Sequence, residues 1–216
     1  MLVKEAAAIV GGLSKPEKVT RGYGIPTVHC ITGSKLRDIE GSVCEDCYAH
    51  ERGRYRMKVV KNAQKARHKS LSHPQWKKAM VTLIRRLLRF RWHDSGDVQS
   101  VKHLKNMAAV AEETPETEHW VPSKEWALDG PSIIGRFLDK GGKIPPNMNV
   151  RLSMHMVDEY PTKRHTEAFP GMTWSAVTRD ESKVTCPSTL NHKSCEENNC
   201  SKCWNRSVPL VVYKKH

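Results

Sequence analysis

From Asn149 to Met156 the chain alternates strictly: Val150, Leu152, Met154 and Met156 are apolar, and Arg151, Ser153 and His155 between them are polar. A period of two is the repeat of an extended strand whose faces meet different surroundings. It predicts a strand over 149–156 with one face in a core. Shorter runs at Phe90–His93, His119–Val121, Thr173–Thr178 and Val208–Tyr213 read as further strands. Helical spacing lies between them, over 98–113 (Val101, Leu104, Met107, Ala108 and Ala111 inward) and near 131–140, ending at Gly141-Gly142. Repeated strand–helix units imply a mainly parallel sheet with right-handed crossovers. The predicted fold is α/β, a trimmed or modified (β/α) barrel. At 216 residues the chain is shorter than the roughly 250 of a full barrel. Three regions are expected: an irregular arm over 1–26, a barrel-like catalytic domain over 27–185, and a cysteine-rich metal knuckle with a final strand over 186–216.

The charge is concentrated. From Arg52 to His93 there is no Asp or Glu, yet there are fourteen Lys and Arg, which account for the formal net charge of +13. Two helices are expected there, roughly 57–70 and 74–90, with Ser72 as cap and Pro74 in the first turn of the second. Trp76, Met80, Leu83, Ile84, Leu87 and Leu88 form its apolar stripe. A basic face without counter-charges attracts a polyanion, and nucleic acid is the usual one. Arg52, Arg54, Arg56, Lys77, Lys78, Arg85, Arg86 and Arg89 are the candidate phosphate contacts, and a solubilising basic face is the plain alternative. No apolar run approaches the roughly 20 residues of a membrane helix, and Glu5 breaks the short apolar start. A cytoplasmic protein is expected.

The basic run ends at His93-Asp94-Ser95-Gly96-Asp97, where a predicted strand stops and a helix begins. In parallel α/β folds that edge is where reactive groups gather. Asp94 and Asp97 are candidate catalytic carboxylates, and Ser95 or Asp97 can equally cap the next helix. Asp158, behind the 149–156 strand with His155 before it, is a third candidate. An odd count of seven cysteines speaks for thiolate ligands over a disulfide framework. Cys186, Cys195, Cys200 and Cys203 are spaced C-x8-C-x4-C-x2-C, a donor set suited to structural zinc, with His192 as a substitute ligand. Iron–sulfur ligation uses the same residues. Cys30, Cys44 and Cys47, spaced C-x13-C-x2-C, form a possible second site, completed by His29 or His50 or left open.

The segment Asp94-Ser95-Gly96-Asp97-Val98-Gln99 resembles the Asp-Ser-Gly-Gly-Phe-Gln segment of tRNA-guanine transglycosylases, matching at Asp94, Ser95, Gly96 and Gln99. Those enzymes have a modified eight-stranded barrel, a catalytic Asp in that segment and a late zinc site. Their phage and bacterial relatives insert 7-deazaguanine bases into DNA. The resemblance implies a DNA-guanine transglycosylase (RNA possible) that exchanges guanine for a preQ0-like base. Asp94 would be nucleophile or base, Asp97 or Asp158 the second carboxylate, and His93, Ser95, Gly96, Gln99 and His155 the substrate-binding residues. The run from Gly22 through Cys44-Glu-Asp-Cys-Tyr-Ala to Cys200-Ser-Lys-Cys-Trp also looks like a group of small phage proteins. The first cysteine group resembles a stretched form of the three-cysteine loop of radical S-adenosylmethionine enzymes. That makes an iron–sulfur enzyme modifying nucleic acid the rival reading, and a zinc-stabilised nucleic-acid-binding protein the non-catalytic one.

Overall fold

The computed structural model describes residues 1–216 apart from Glu17, Thr20, Glu51 and His216, so two residues of the predicted arm and the last of the cysteine-rich segment lie outside the description. Six strands form one sheet: β1 (Gly22–Tyr23), β2 (Arg89–Trp92), β3 (Glu118–Ser123), β4 (Met148–Ser153), β5 (Thr173–Thr178) and β6 (Leu210–Lys214). They lie in sequence order and every neighbouring pair is parallel. The helices are α1 (Val3–Val10), α2 (Ile31–Leu36), α3 (Lys58–Ser70), α4 (Trp76–Ile84), α5 (Val101–Glu112), α6 (Ile133–Asp139), α7 (Lys163–Ala168) and α8 (Pro187–Asn191). The α/β class with a parallel sheet is as expected. Among the described residues no helix is long and apolar enough to cross a membrane.

Alternation along the strands explains the two cores. Phe90, Trp92, Val121, Val150, Leu152, Trp174 and Val212 join one face to α1, α4, α5 and α6 in the main core. Each such side chain, fully buried, contributes about 1.5–3 kcal/mol. The opposite face carries Trp120 and Val211 into a smaller core with Cys186, Cys203 and Trp204. Hence the segment after β5 lies against the sheet. Arg151, wholly buried on that face, donates to the carbonyls of Trp174 (2.7 Å), Lys202 (3.0 Å), Asn205 (3.3 Å) and Val208 (3.1 Å).

Three expectations need correction. The arm is not irregular throughout, because Val3–Val10 is helical and Gly22–Tyr23 is the first strand. Tyr23 ties them in: its buried hydroxyl lies 3.0 Å from both Val10 O and Arg67 O and accepts from the Trp76 indole at 3.2 Å. The second basic helix ends at Ile84 rather than 90, since Arg89 already belongs to β2. Its N-cap is Gln75, and the Ser72 hydroxyl instead bonds back to Lys69 O.

Candidate active site and the two thiol clusters

The turn after β2 opens with two left-handed residues, His93 (φ 53°) and Gly96 (φ 74°). At Gly96 a Cβ would sit 2.3 Å from Ile25 Cγ1, and at Gly24 one would sit 2.3 Å from Asp94 Oδ1. Glycine at both places lets β1 and the turn close on each other and seats the Asp94 side chain between them.

Asp94 is buried yet fully engaged. Ser14 Oγ donates to Oδ1 at 2.8 Å, Arg54 pairs with Oδ2 at 3.0 Å, and the Tyr55 hydroxyl lies 3.4 Å from Oδ2. Tyr48 donates to the Asp94 carbonyl at 2.8 Å, and Gln64 donates to Ser95 Oγ at 2.7 Å. Asp94, Ser95, Ser14, Arg54, Gln64 and Arg67 line a cavity of about 200 Å³ between the turn, the N-terminal arm and α3. That is below the roughly 300–1,000 Å³ of drug-sized sites and on the scale of one heterocycle.

Asp97 faces another way. Its carboxylate accepts from Val98 N at 2.7 Å and Lys124 N at 2.8 Å, at the end of β3. Burial, then the Glu125 charge, push its carboxyl up to about 7. Beside it stand Cys30 and Cys44, whose thiols are raised by burial and further by Asp97. Lys124 is half-buried among them. Burial works against its charge, but Cys44, Asp97, Cys47 and Cys30 outweigh that and raise its ammonium above the ordinary lysine value. Glu125 accepts from Ile31 N, Thr32 N and the Thr32 hydroxyl at 2.9–3.1 Å, docking the cysteine loop on β3. Sequence reading missed Lys124 and Glu125; their place directly behind β3 was the available signal.

The other expected residues are dispersed. Asp158 accepts from Thr178 Oγ1 (2.7 Å), Arg179 N (2.9 Å) and the Arg179 guanidinium (2.9 Å), which hold its carboxyl at about 2. It clasps the β4 and β5 ends and does not meet Asp94. His155 stacks on Trp126 at 4.3 Å and bonds Lys124 O at 3.0 Å, placing it behind Asp97. Gln99 donates to Asp97 O and His29 O, strapping the turn to the cysteine loop. His93 is buried with neither ring nitrogen partnered, 5.4 Å from the His103 ring.

The basic residues divide. Arg54 lines the Asp94 cavity, with Arg52 and Arg56 two positions to either side of it, whereas Arg85 and Arg86 precede β2 and Arg89 opens it, at the starts of the strands. The run is acid-free only along the chain. Asp46 pairs with Arg52, Glu113 with Lys77 and Glu118 with Arg89, at 2.8–2.9 Å. Arg85, Arg86 and Lys78 are exposed.

In the C-terminal cluster, burial and then the neighbouring Cys186 and Cys200 push the Cys195 thiol up to about 11. Burial pushes Cys203 up to about 12, and its sulfur lies 3.1 Å from the Tyr213 hydroxyl. Thiols that raise one another in this way are a soft donor set suited to zinc or an iron–sulfur cluster. As placed, no group of three or more His, Cys, Asp or Glu side chains among the described residues is arranged to hold an ion.

A family model described as Gene product 88 matches residues 13–206. The chain belongs to the Gene product 88 family. The Gene product 88 match takes in the Asp94 cavity turn, Asp97, Lys124, Asp158 and all seven cysteines, and leaves α1 and β6 outside. No curated protein and no solved structure matches the chain.

Proposed function

We propose that this protein is a nucleic-acid base-modifying enzyme that exchanges guanine in DNA for a 7-deazaguanine base, with Asp94 as the attacking carboxylate. The observation that carries the reading is Asp94 at the wall of a heterocycle-sized cavity, at the C-terminal end of a parallel strand, with Arg54 and Arg67 in the same lining. The sheet is read as a trimmed barrel: six strands in sequence order, with α1, α4, α5 and α6 on one face. Sites in such folds open at the carboxyl ends of the strands.

In this reading an Asp94 oxygen attacks C1′ of the nucleotide, the bond from C1′ to the guanine nitrogen breaks, and the departing base takes up a proton. The incoming base, losing a proton, attacks C1′ and releases the carboxylate. A covalent intermediate conserves the glycosidic bond energy that hydrolysis would lose. Ser14, Arg54 and Tyr55 hold the carboxylate in one orientation. The four C-terminal thiols would hold zinc, whose contribution when bound is to cross-link that segment. Asp94→Asn is expected to abolish incorporation of labelled base while duplex affinity stays near wild type. Normal incorporation by that variant ends the assignment.

One observation favours a second reading. Cys30, Cys44 and Cys47 follow the first of six sequential parallel strands and share their surroundings with Asp97 and Lys124. Three thiolates there suit an iron–sulfur cluster with one iron open to a substrate, which would supply one-electron chemistry. Purification without oxygen decides: absorbance near roughly 400 nm that is lost in Cys44→Ser favours this reading, and a colourless active protein excludes it.

A further inference from the structure

We infer that residues 52–59, the turn before α3 and the first two residues of that helix, are a wedge that enters duplex DNA and fills the place of the base drawn into the Asp94 cavity. This rests on the reading that a base in duplex DNA is the substrate. Met57 and Val59 are 55% and 67% exposed, so neither stabilises the fold appreciably. They alternate with Arg54, Arg56 and Lys58, and Arg52 lies just before. A tip that is apolar at its point and cationic at its flanks matches an object with anionic edges and an apolar interior. Stacked bases between two phosphate backbones are such an object, and apolar side chains inserted at a base step unstack it.

The tip is built onto the site rather than hung beside it. Tyr55, two residues before Met57, is buried, and its hydroxyl reaches the Asp94 carbonyl at 3.3 Å and carboxylate at 3.4 Å. Arg54 pairs with the same carboxylate at 3.0 Å. Val59 itself lines the cavity, so the apolar point is continuous with the pocket wall. A base leaving the stack at Met57 therefore meets the Asp94 cavity without the turn having to move. The bilayer also has anionic edges and an apolar interior, but nothing in a lipid requires a carboxylate-lined cavity behind the tip.

The test uses the full chain and a duplex carrying 2-aminopurine beside guanine, whose fluorescence rises when stacking is lost. Wild type should raise it severalfold. Met57→Ala, which leaves the cavity wall intact, should bind within about threefold of wild type, because the phosphate contacts remain, yet give no rise. Base exchange on paired duplex should fall about tenfold or more and recover when the target guanine faces an abasic site, which has already lost its partner. An undiminished rise in Met57→Ala overturns the wedge, as does an equal loss of exchange on both substrates. Binding to phosphatidylserine vesicles but not to DNA also overturns it. If base exchange is the wrong chemistry, the fluorescence comparison still separates the two proteins; if only the wedge is wrong, exchange persists in Met57→Ala.

Discussion

Asp94 and Asp97 are three positions apart and serve different surroundings, and that separation has a pH signature. Folded Asp97 keeps its proton up to about 7, whereas the ordinary value is 3.8. Between those values the folded state binds the extra proton, so this residue's contribution to stability is whole below 3.8 and is lost as pH rises through about 7. Buried His103 and His119, held down to about 3 and about 4 by burial, act in the opposite sense, costing stability as pH falls below 6.5. The diagnostic is therefore a difference: Asp97→Asn should gain melting temperature on wild type as pH goes from about 5 to about 8. Glu125→Gln should move the wild-type loss to lower pH, because the Glu125 charge is the second cause of the shift. A constant gap across that range would contradict the buried, charge-opposed carboxyl. The sequence marked both acids by residue type and position. It did not show that they diverge, because the turn's path depends on His93 adopting a left-handed backbone, which few non-glycine residues do.

At the level of elements, legibility followed length. The strands after residue 89 and helices α3, α5 and α6 lie close to where apolar periodicity places them. β1, with two residues, is too short to have a period; its neighbours hold it, through Tyr23 and the backbone pairing to β2. The cysteine-rich segment was visible as a thiol pattern, but its attachment was not, because that depends on Arg151 across the sheet. Arg151 satisfies four carbonyls with one planar group, a geometry that lysine lacks. Arg151→Lys should cost about 2–4 kcal/mol, from buried carbonyls left unpaired, read as a lower denaturant midpoint. If zinc cross-links the segment, a chelator should lower the melting temperature of wild type and not of Cys200→Ser with Cys203→Ser. Zinc uptake should also release protons, since thiols pushed up to about 11 and about 12 start protonated. A chelator with no effect on wild type would remove the zinc proposal.

Across the whole molecule the net charge was legible, but its distribution was not. A basic run continuous along the chain reads as one field until β2 is placed. Arg89 opens that strand and Asp94 follows its end, so the run passes from the starts of the strands to their carboxyl ends over roughly 16 Å. Thr117 Oγ1 donates to Leu87 O at 2.6 Å and Glu118 N to Leu88 O at 2.9 Å, which fixes Arg85 and Arg86 beside the starts of the strands. DNA seated on the Asp94 cavity would therefore lie against Arg52 and Arg56, away from Arg85 and Arg86. Each phosphate contact releases condensed counterions, so the slope of log affinity against log salt should shrink by about 0.9 for each contact removed. Arg52→Glu with Arg56→Glu should flatten that slope by nearly two contacts and weaken binding with little sequence preference. Arg85→Glu with Arg86→Glu should leave it unchanged. Both pairs are exposed, so both variants should fold, surface changes usually costing within about 0.5 kcal/mol. The reverse pattern, with the slope lost only on changing Arg85 and Arg86, would put the nucleic acid at the strand starts. Asp94 could then not be the residue that meets the base.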